Sequence, residues 1–217
     1  MTGVVLFDLD NTLADREAAF RRWAEGFVTD HHLDRSVVDW LCERDGDGFL
    51  SRDELFTSLR DEYGVDGRVD DLVARYRAEY PTFFEPGPDV VAALTALRAA
   101  GWKIGIVTNG PPSQEAKIAS LRLGALVDGV CVSDLVGVEK PDRHIFELTA
   151  ARCGVPLDGW MVGDSPDTDV AGGRAAGLRT VWIHRGRNWA RDDYAPDAVV
   201  ATIRDAAAVI TGDAPSR

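Results

Sequence analysis

From Pro88 onward, short apolar runs alternate with stretches of helical period, and few architectures accommodate that rhythm. The periodicity predicts helices over 89–100, 113–123, 142–153, 167–176 and 203–210. Between them it predicts strands over 102–107, 129–132, 160–162, 179–184 and 198–200. Gly101, Gly124, Gly154 and Gly177 follow four of the helices, where a residue of positive φ ends a helix. Near the start, Val4-Val5-Leu6-Phe7 is an apolar run with the look of a strand buried on both faces. Alternating strands and helices of these lengths imply right-handed crossovers. The expected fold is α/β, a Rossmann-like parallel sheet with helices on both faces.

The stretch between the first strand and Pro88 breaks the rhythm. Residues 16–32 place Ala19, Phe20, Trp23 and Phe27 at helical spacing, and helices over 34–42, 52–63 and 70–80 follow with no strand. Four such helices form a small bundle of their own. The expected division is a catalytic core of 1–13 and 82–217, with an all-helical insertion of 14–81. Trp23 and Trp40 are candidates for the bundle core or for lining a pocket. Residues 211–217 read as a frayed tail.

Composition bounds the function. A net charge of −12 with no Lys/Arg cluster excludes a general nucleic-acid or anionic-membrane surface, though a small phosphorylated ligand needs only a local positive pocket. Cys42, Cys131 and Cys153 are odd in number and widely spaced, which suits free thiols better than disulfides or zinc. No apolar run reaches membrane-spanning length, and the first strand begins too early to leave room for a signal peptide. The expectation is a cytoplasmic protein.

Ligands of open α/β sheets bind beyond the carboxyl ends of the strands, so the residues that follow each predicted strand carry the chemistry. Asp8 and Asp10 follow the first, Thr108-Asn109-Gly110 the second, and Gly163-Asp164 with Asp169 the fourth. Lys140-Pro141 precedes the helix of 142–153. Asp8, Asp10 and Asp164 offer hard oxygen ligands suited to Mg²⁺. Thr108, the backbone near Asn109, and Lys140 can bind phosphoryl oxygens. A carboxylate at such a site can act as nucleophile, and a second one two residues later as acid and base.

Together these stretches resemble motifs I to IV of the haloacid dehalogenase-like hydrolases, and the likeness extends to the helical insertion, which resembles a C1 cap. The resemblance implies Asp8 as nucleophile and Asp10 as general acid/base. It implies Thr108, Asn109 and Lys140 as the phosphate-binding set. Asp8, the Asp10 main-chain carbonyl and Asp164 would hold magnesium, with Asp169 supporting from behind. Position 10 chooses the reaction within the family. The dehalogenase branch resembles Asp-x-Tyr there, whereas an alkoxide leaving group needs the proton donor that Asp10 supplies.

The implied activity is a Mg²⁺-dependent phosphatase hydrolysing a small phosphorylated metabolite, a nucleotide or sugar phosphate, through an aspartyl phosphate. A phosphomutase and a calcium-responsive binding protein with a vestigial core are the alternatives. The run Thr108-Asn109-Gly110 with Gln114 and Lys117 is similar to the branch holding pyrimidine 5′-nucleotidases and N-acylneuraminate-9-phosphatases. Gln114 and Lys117 themselves read as exposed helix residues rather than substrate contacts.

The insertion holds one further pattern. The stretch from Glu43 to Glu54 resembles a twelve-residue EF-hand loop with Asp45, Asp47 and Glu54 at ligand positions and Gly46 at the turn. Glu43 stands where the pattern wants the shorter Asp. That favours the reading of a tight helix–helix turn over a calcium loop.

Overall fold

A computed structural model describes residues 3–48 and 50–212 of the chain. The chain divides into two compact units, one of residues 1–14 with 86–217 and the other of residues 15–85.

The first unit contains β1 (Val4–Phe7) at the heart of a six-stranded sheet. β2 (Lys103–Thr108), β3 (Gly129–Val132), β4 (Gly159–Gly163), β5 (Arg179–Ile183) and β6 (Ala198–Val200) complete it in the order β3-β2-β1-β4-β5-β6. Every pairing is parallel, and Val4 lies opposite both Lys103 of β2 and Gly159 of β4. All four β1 residues are fully buried, which explains the unbroken apolar run. The strand order reverses between β1 and β4, the place where doubly wound sheets bind ligands.

Within the described residues, the second unit contributes α1 (Arg16–Asp30), α2 (Val37–Asp45), α3 (Arg52–Tyr63) and α4 (Val69–Glu79). The first unit adds α5 (Pro88–Ala99), α6 (Ser113–Ser120), α7 (Ser133–Val136), α8 (Arg143–Arg152), α9 (Gly172–Ala175) and α10 (Ile203–Gly212). No helix among the described residues is long and apolar enough to cross a membrane. Three sequence expectations need correction. α6 ends at Ser120, where Arg122 rather than Gly124 takes the left-handed φ of 55°. The expected helix of 167–176 begins as a π-helical turn, Pro166–Ala171, before α9. Thr211 and Gly212 belong to α10, and 213–217 lie outside the described residues.

The unit of 15–85 is built on an aromatic core. Trp23 is buried against Phe20, Phe27, Phe56 and Tyr76, while Trp40 packs edge-on against Tyr63 nearer the surface. Asp15 caps α1 by accepting from the Ala18 N–H.

The calcium-like stretch is differently employed. Asp45 is 2% exposed and accepts from Arg16 Nη1 and Nη2, at 2.7 and 3.0 Å, and from Arg52. Glu54 closes a capping box with Ser51 at the start of α3. Gly46, Asp47 and Gly48 turn the chain with φ of 54°, 61° and 91°. A Cβ on Gly48 would collide with the Arg16 guanidinium. Asp47 also lies 3.5 Å from Arg16 Nη1, so Arg16 sits between Asp45 and Asp47 while Glu54 caps α3, and a cation at Asp45 would have to displace two arginines. This is the geometry of the tight helix–helix turn favoured from sequence.

This ion pair gives a stability prediction. The guanidinium groups of Arg16 and Arg52 outweigh the cost of burial and hold the Asp45 carboxyl below its usual range. A lowered folded-state pKa stabilises above the unfolded value and is lost as pH falls through the folded one. Asp45→Ala is expected to cost about 3 kcal/mol at pH 7, because it strands two buried cations. The gap from wild type should narrow below about pH 4. Urea titrations at pH 7 and pH 3 measure both; a gap of the same size at the two values would refute the ion-pair account.

Candidate active site

The turn after β1 places the first two carboxylates. The Leu9 carbonyl accepts from the N–H groups of Thr12, Leu13 and Ala14, and Asn11 takes a φ of 64°, a conformation Asn tolerates well. The Asp8 N–H still bonds to the Val162 carbonyl, so Asp8 is fixed as the last rung between β1 and β4. Asp10 sits within the turn.

Lys140 binds the cluster together. Its Nζ donates to Asp8 Oδ1 at 2.6 Å and to Asp169 Oδ1 at 2.7 Å, and the lysine is 3% exposed. Burial works against its charge, but the Asp169 and Asp8 carboxylates outweigh that and raise its pKa. Burial drives the Asp8 carboxyl up to about 7; Lys140 opposes the rise, and the charges of Asp169 and Asp10 add to it. Asp164 is pushed to about 6, first by burial and then by Asp169, against the pull of Arg187 and Arg185. Asp8, Asp164 and Asp169 each bring an oxygen within 4.8 Å of the others.

Neighbouring elements hold these groups in place. The Lys140-Pro141 bond is cis, and the Asn109 side chain grips Lys140 at both backbone atoms. Asn109 Nδ2 donates to the Lys140 carbonyl at 2.9 Å, and the Lys140 N–H donates to Asn109 Oδ1 at 2.8 Å. The Asn109 side chain thus positions Lys140, which leaves its backbone N–H as the group expected to meet phosphate. The Ser133 hydroxyl accepts from the Gly110 N–H at 2.9 Å. The Asp164 carbonyl accepts from Trp182 Nε1 and from Arg187, which also binds Asp164 Oδ2 at 2.8 Å. Asp169 Oδ2 accepts from the Ser165 N–H at 2.9 Å. A Cβ on Gly163 would run into the Asp169 carboxylate, so that close approach requires glycine.

The site thus gathers Asp8, Asp10, Thr108, Lys140, Asp164 and Asp169 at the strand ends named from sequence. It also recruits Arg187 and Ser133, which sequence reasoning missed, and Gln114 and Lys117, which the branch pattern named but whose burial it did not show. Gln114 and Lys117 are 2% and 8% exposed, not solvent-facing as expected. Lys117 Nζ donates to both Asp10 oxygens, at 2.8 and 2.7 Å, and Gln114 Nε2 reaches Asp10 Oδ2 at 2.9 Å. A signal for them existed. Residues 114, 117, 118 and 121 form one stripe of helical spacing whose last two members, Ile118 and Leu121, are plainly apolar. Arg187 and Ser133 carried no comparable pattern.

Comparison with known proteins agrees with this architecture. A family model for haloacid dehalogenase-like hydrolases matches residues 2–177. The phosphoserine phosphatase of Thermus thermophilus is 31% identical over 205 residues, covering 88% of this chain and 78% of its own. The glyceraldehyde 3-phosphate phosphatase of Methanopyrus kandleri is 32% identical over 224 residues, covering 91% and 92%. Among solved structures, a HAD phosphatase from Thermococcus onnurineus aligns with a TM-score of 0.64 at 28% identity, over 98% of this chain and 100% of its own. With the family's pattern spread over three strand ends of one sheet and the Lys140 turn before α8, the chain belongs to the haloacid dehalogenase-like hydrolases.

Proposed function

We propose that the chain is a magnesium-dependent phosphatase that hydrolyses a small phosphorylated metabolite, a nucleotide or sugar phosphate, through an aspartyl-phosphate intermediate. The observation that carries this reading is the pairing of Asp8, held by Lys140 at 2.6 Å, with a second carboxylate, Asp10, two residues on. The relatives named above act, by their names, on phosphoserine and glyceraldehyde 3-phosphate, both small phosphate monoesters.

The donor set fits magnesium. Buried carboxylates from Asp8 and Asp164 are hard oxygen ligands, each crowded by the charge of Asp169, and a divalent cation would relieve their burial as anions. Together with the Asp10 main-chain carbonyl they would hold the ion. Asp169 has one oxygen on Lys140 and the other on Ser165, so it supports the site from behind. Bound there, magnesium supplies charge neutralisation of the phosphoryl group.

The protein's own groups divide the remaining work. Thr108, the backbone N–H of Asn109 and the Lys140 ammonium bind phosphoryl oxygens. An Asp8 oxygen attacks phosphorus and the ester P–O bond breaks, while Asp10 gives its proton to the departing alcohol oxygen. Water then attacks the aspartyl phosphate, Asp10 takes the water's proton, and inorganic phosphate leaves with Asp8 restored. The unit of 15–85 is read as the C1-type cap that selects the alcohol. The three free thiols suit a reducing, cytoplasmic setting.

Phosphate release from a panel of phosphorylated metabolites tests the reading. Activity is expected to vanish in EDTA and to return with Mg²⁺. Calcium should fail to restore it, since its larger and irregular coordination shell spoils in-line geometry. Asp164→Ala should raise the Mg²⁺ requirement by about 10²-fold, the scale on which metal sites lose affinity. Full turnover in excess chelator would overturn the metal assignment.

A further inference from the structure

We propose that Lys117 and Gln114 form a clamp that orients the Asp10 carboxylate for proton transfer to the leaving oxygen. The inference rests on the reading of Asp10 as acid and base. It assigns positioning residues on α6, outside the four motifs.

A lysine ammonium and a glutamine amide are seldom buried unless paired. Here both are buried, and both turn to one carboxylate. Lys117 Nζ spans the two Asp10 oxygens, so it fixes the plane of the carboxylate as well as its place. Gln114 Nε2 binds Asp10 Oδ2 at 2.9 Å and also Thr108 Oγ1 at 2.8 Å, tying the proton-transfer group to the hydroxyl proposed to hold phosphate. The three-residue spacing puts both donors on one face of α6.

The arrangement has a chemical logic beyond anchoring the helix. Ile118 and Leu121 already bury that face of the chain, whereas Asp10 keeps 27% of its side chain exposed. A partly exposed carboxylate on a turn would otherwise sample several rotamers, and proton transfer needs one. The two proposed reacting carboxylates thus have separate lysines. Lys140 serves Asp8, and Lys117 serves Asp10.

The test compares esters that do and do not need a proton at the leaving oxygen. The value of kcat/KM reports the steps up to aspartyl-phosphate formation. For the best alkyl phosphate of the panel, Lys117→Met is expected to lower it by about 10²-fold, the usual worth of acid catalysis. For 2,4-dinitrophenyl phosphate, whose phenoxide departs unaided, the loss should stay within about threefold. Lys117→Arg should recover at least tenfold on the alkyl ester, roughly half the loss on a logarithmic scale. Gln114→Leu, which also frees Thr108, should add a loss common to both esters but still cost the alkyl ester more, and it serves if Lys117→Met does not fold. The double variant Lys117→Met/Asp10→Asn should be no slower than Asp10→Asn alone, since the clamp acts only through Asp10. Equal losses on both esters, or additive losses in the double variant, would overturn the clamp. If Asp10→Asn itself lacks ester selectivity, the acid role of Asp10 fails, and the clamp fails with it. Selectivity in Asp10→Asn but not in the α6 variants sinks the clamp alone.

Discussion

Asp8→Asn is expected to abolish turnover while leaving the fold intact. An amide has no anionic oxygen to attack phosphorus, and no other carboxylate stands as the last rung between β1 and β4. Loss of a covalent nucleophile costs about 10⁴-fold or more in kcat where it has been measured as a unit with its partners. The fold should tolerate the change, because Asn is isosteric and keeps an oxygen to accept from Lys140. Removing a negative charge also relieves part of the crowding that drives the Asp8 carboxyl up to about 7. Purified variant protein with the wild-type circular dichroism spectrum should therefore release no phosphate above background. Turnover by that folded variant near the wild-type rate would end the aspartyl-phosphate account.

Lys140→Met should injure both stability and catalysis. The ammonium lies between Asp8 and Asp169 with its side chain 2% exposed, so its removal leaves two buried carboxylates facing one another. Breaking a buried pair from one side costs about 3–5 kcal/mol, which urea unfolding at pH 7 will show. On the proposed phosphatase reading, catalysis also loses a fixed positive charge beside Asp8, a change worth about 10²–10³ in kcat for preorganised electrostatic groups. Assays below the onset of unfolding separate the two effects. A stable Lys140→Met protein would contradict the buried-pair account, and an active one would remove Lys140 from the phosphate-binding set.

The strand ends were legible because a buried strand must be apolar and its end need not be. Asp8, Thr108 and Asp164 each interrupt or follow an apolar run, so their place at one edge of the sheet follows from topology. Contacts between residues remote in sequence were not legible. Asp45 matches a local calcium-loop pattern, but its partner Arg16 lies on another helix, 29 residues away, and no loop pattern records that pairing. Asn109 carries an additional task, since nothing in sequence shows that its side-chain amide meets the Lys140 backbone. Gln114 and Lys117 were misread because polar residues on a helix default to solvent. The branch pattern and the apolar continuation of their stripe argued otherwise. Arg187 reaches Asp164 from a segment without periodicity, where sequence gives no direction to a side chain.

The parallel register of β1 bears on how the enzyme comes into being. β1 is made well before its partners: Lys103 follows only after the helical insertion, and Gly159 only after β2 and β3 as well. Sheets closed by such distant pairings fold slowly, because loop closure precedes the contacts that reward it. Until β4 arrives, the strand bearing Asp8 has an unpaired edge, and its apolar run is open to association with other chains. The bundle of 15–85 has its own aromatic core and its contacts are local, so it can fold first during translation. Catalytic competence then appears only once Gly159–Gly163 docks beside β1, and a nascent chain that stops short of β4 has no partly active form.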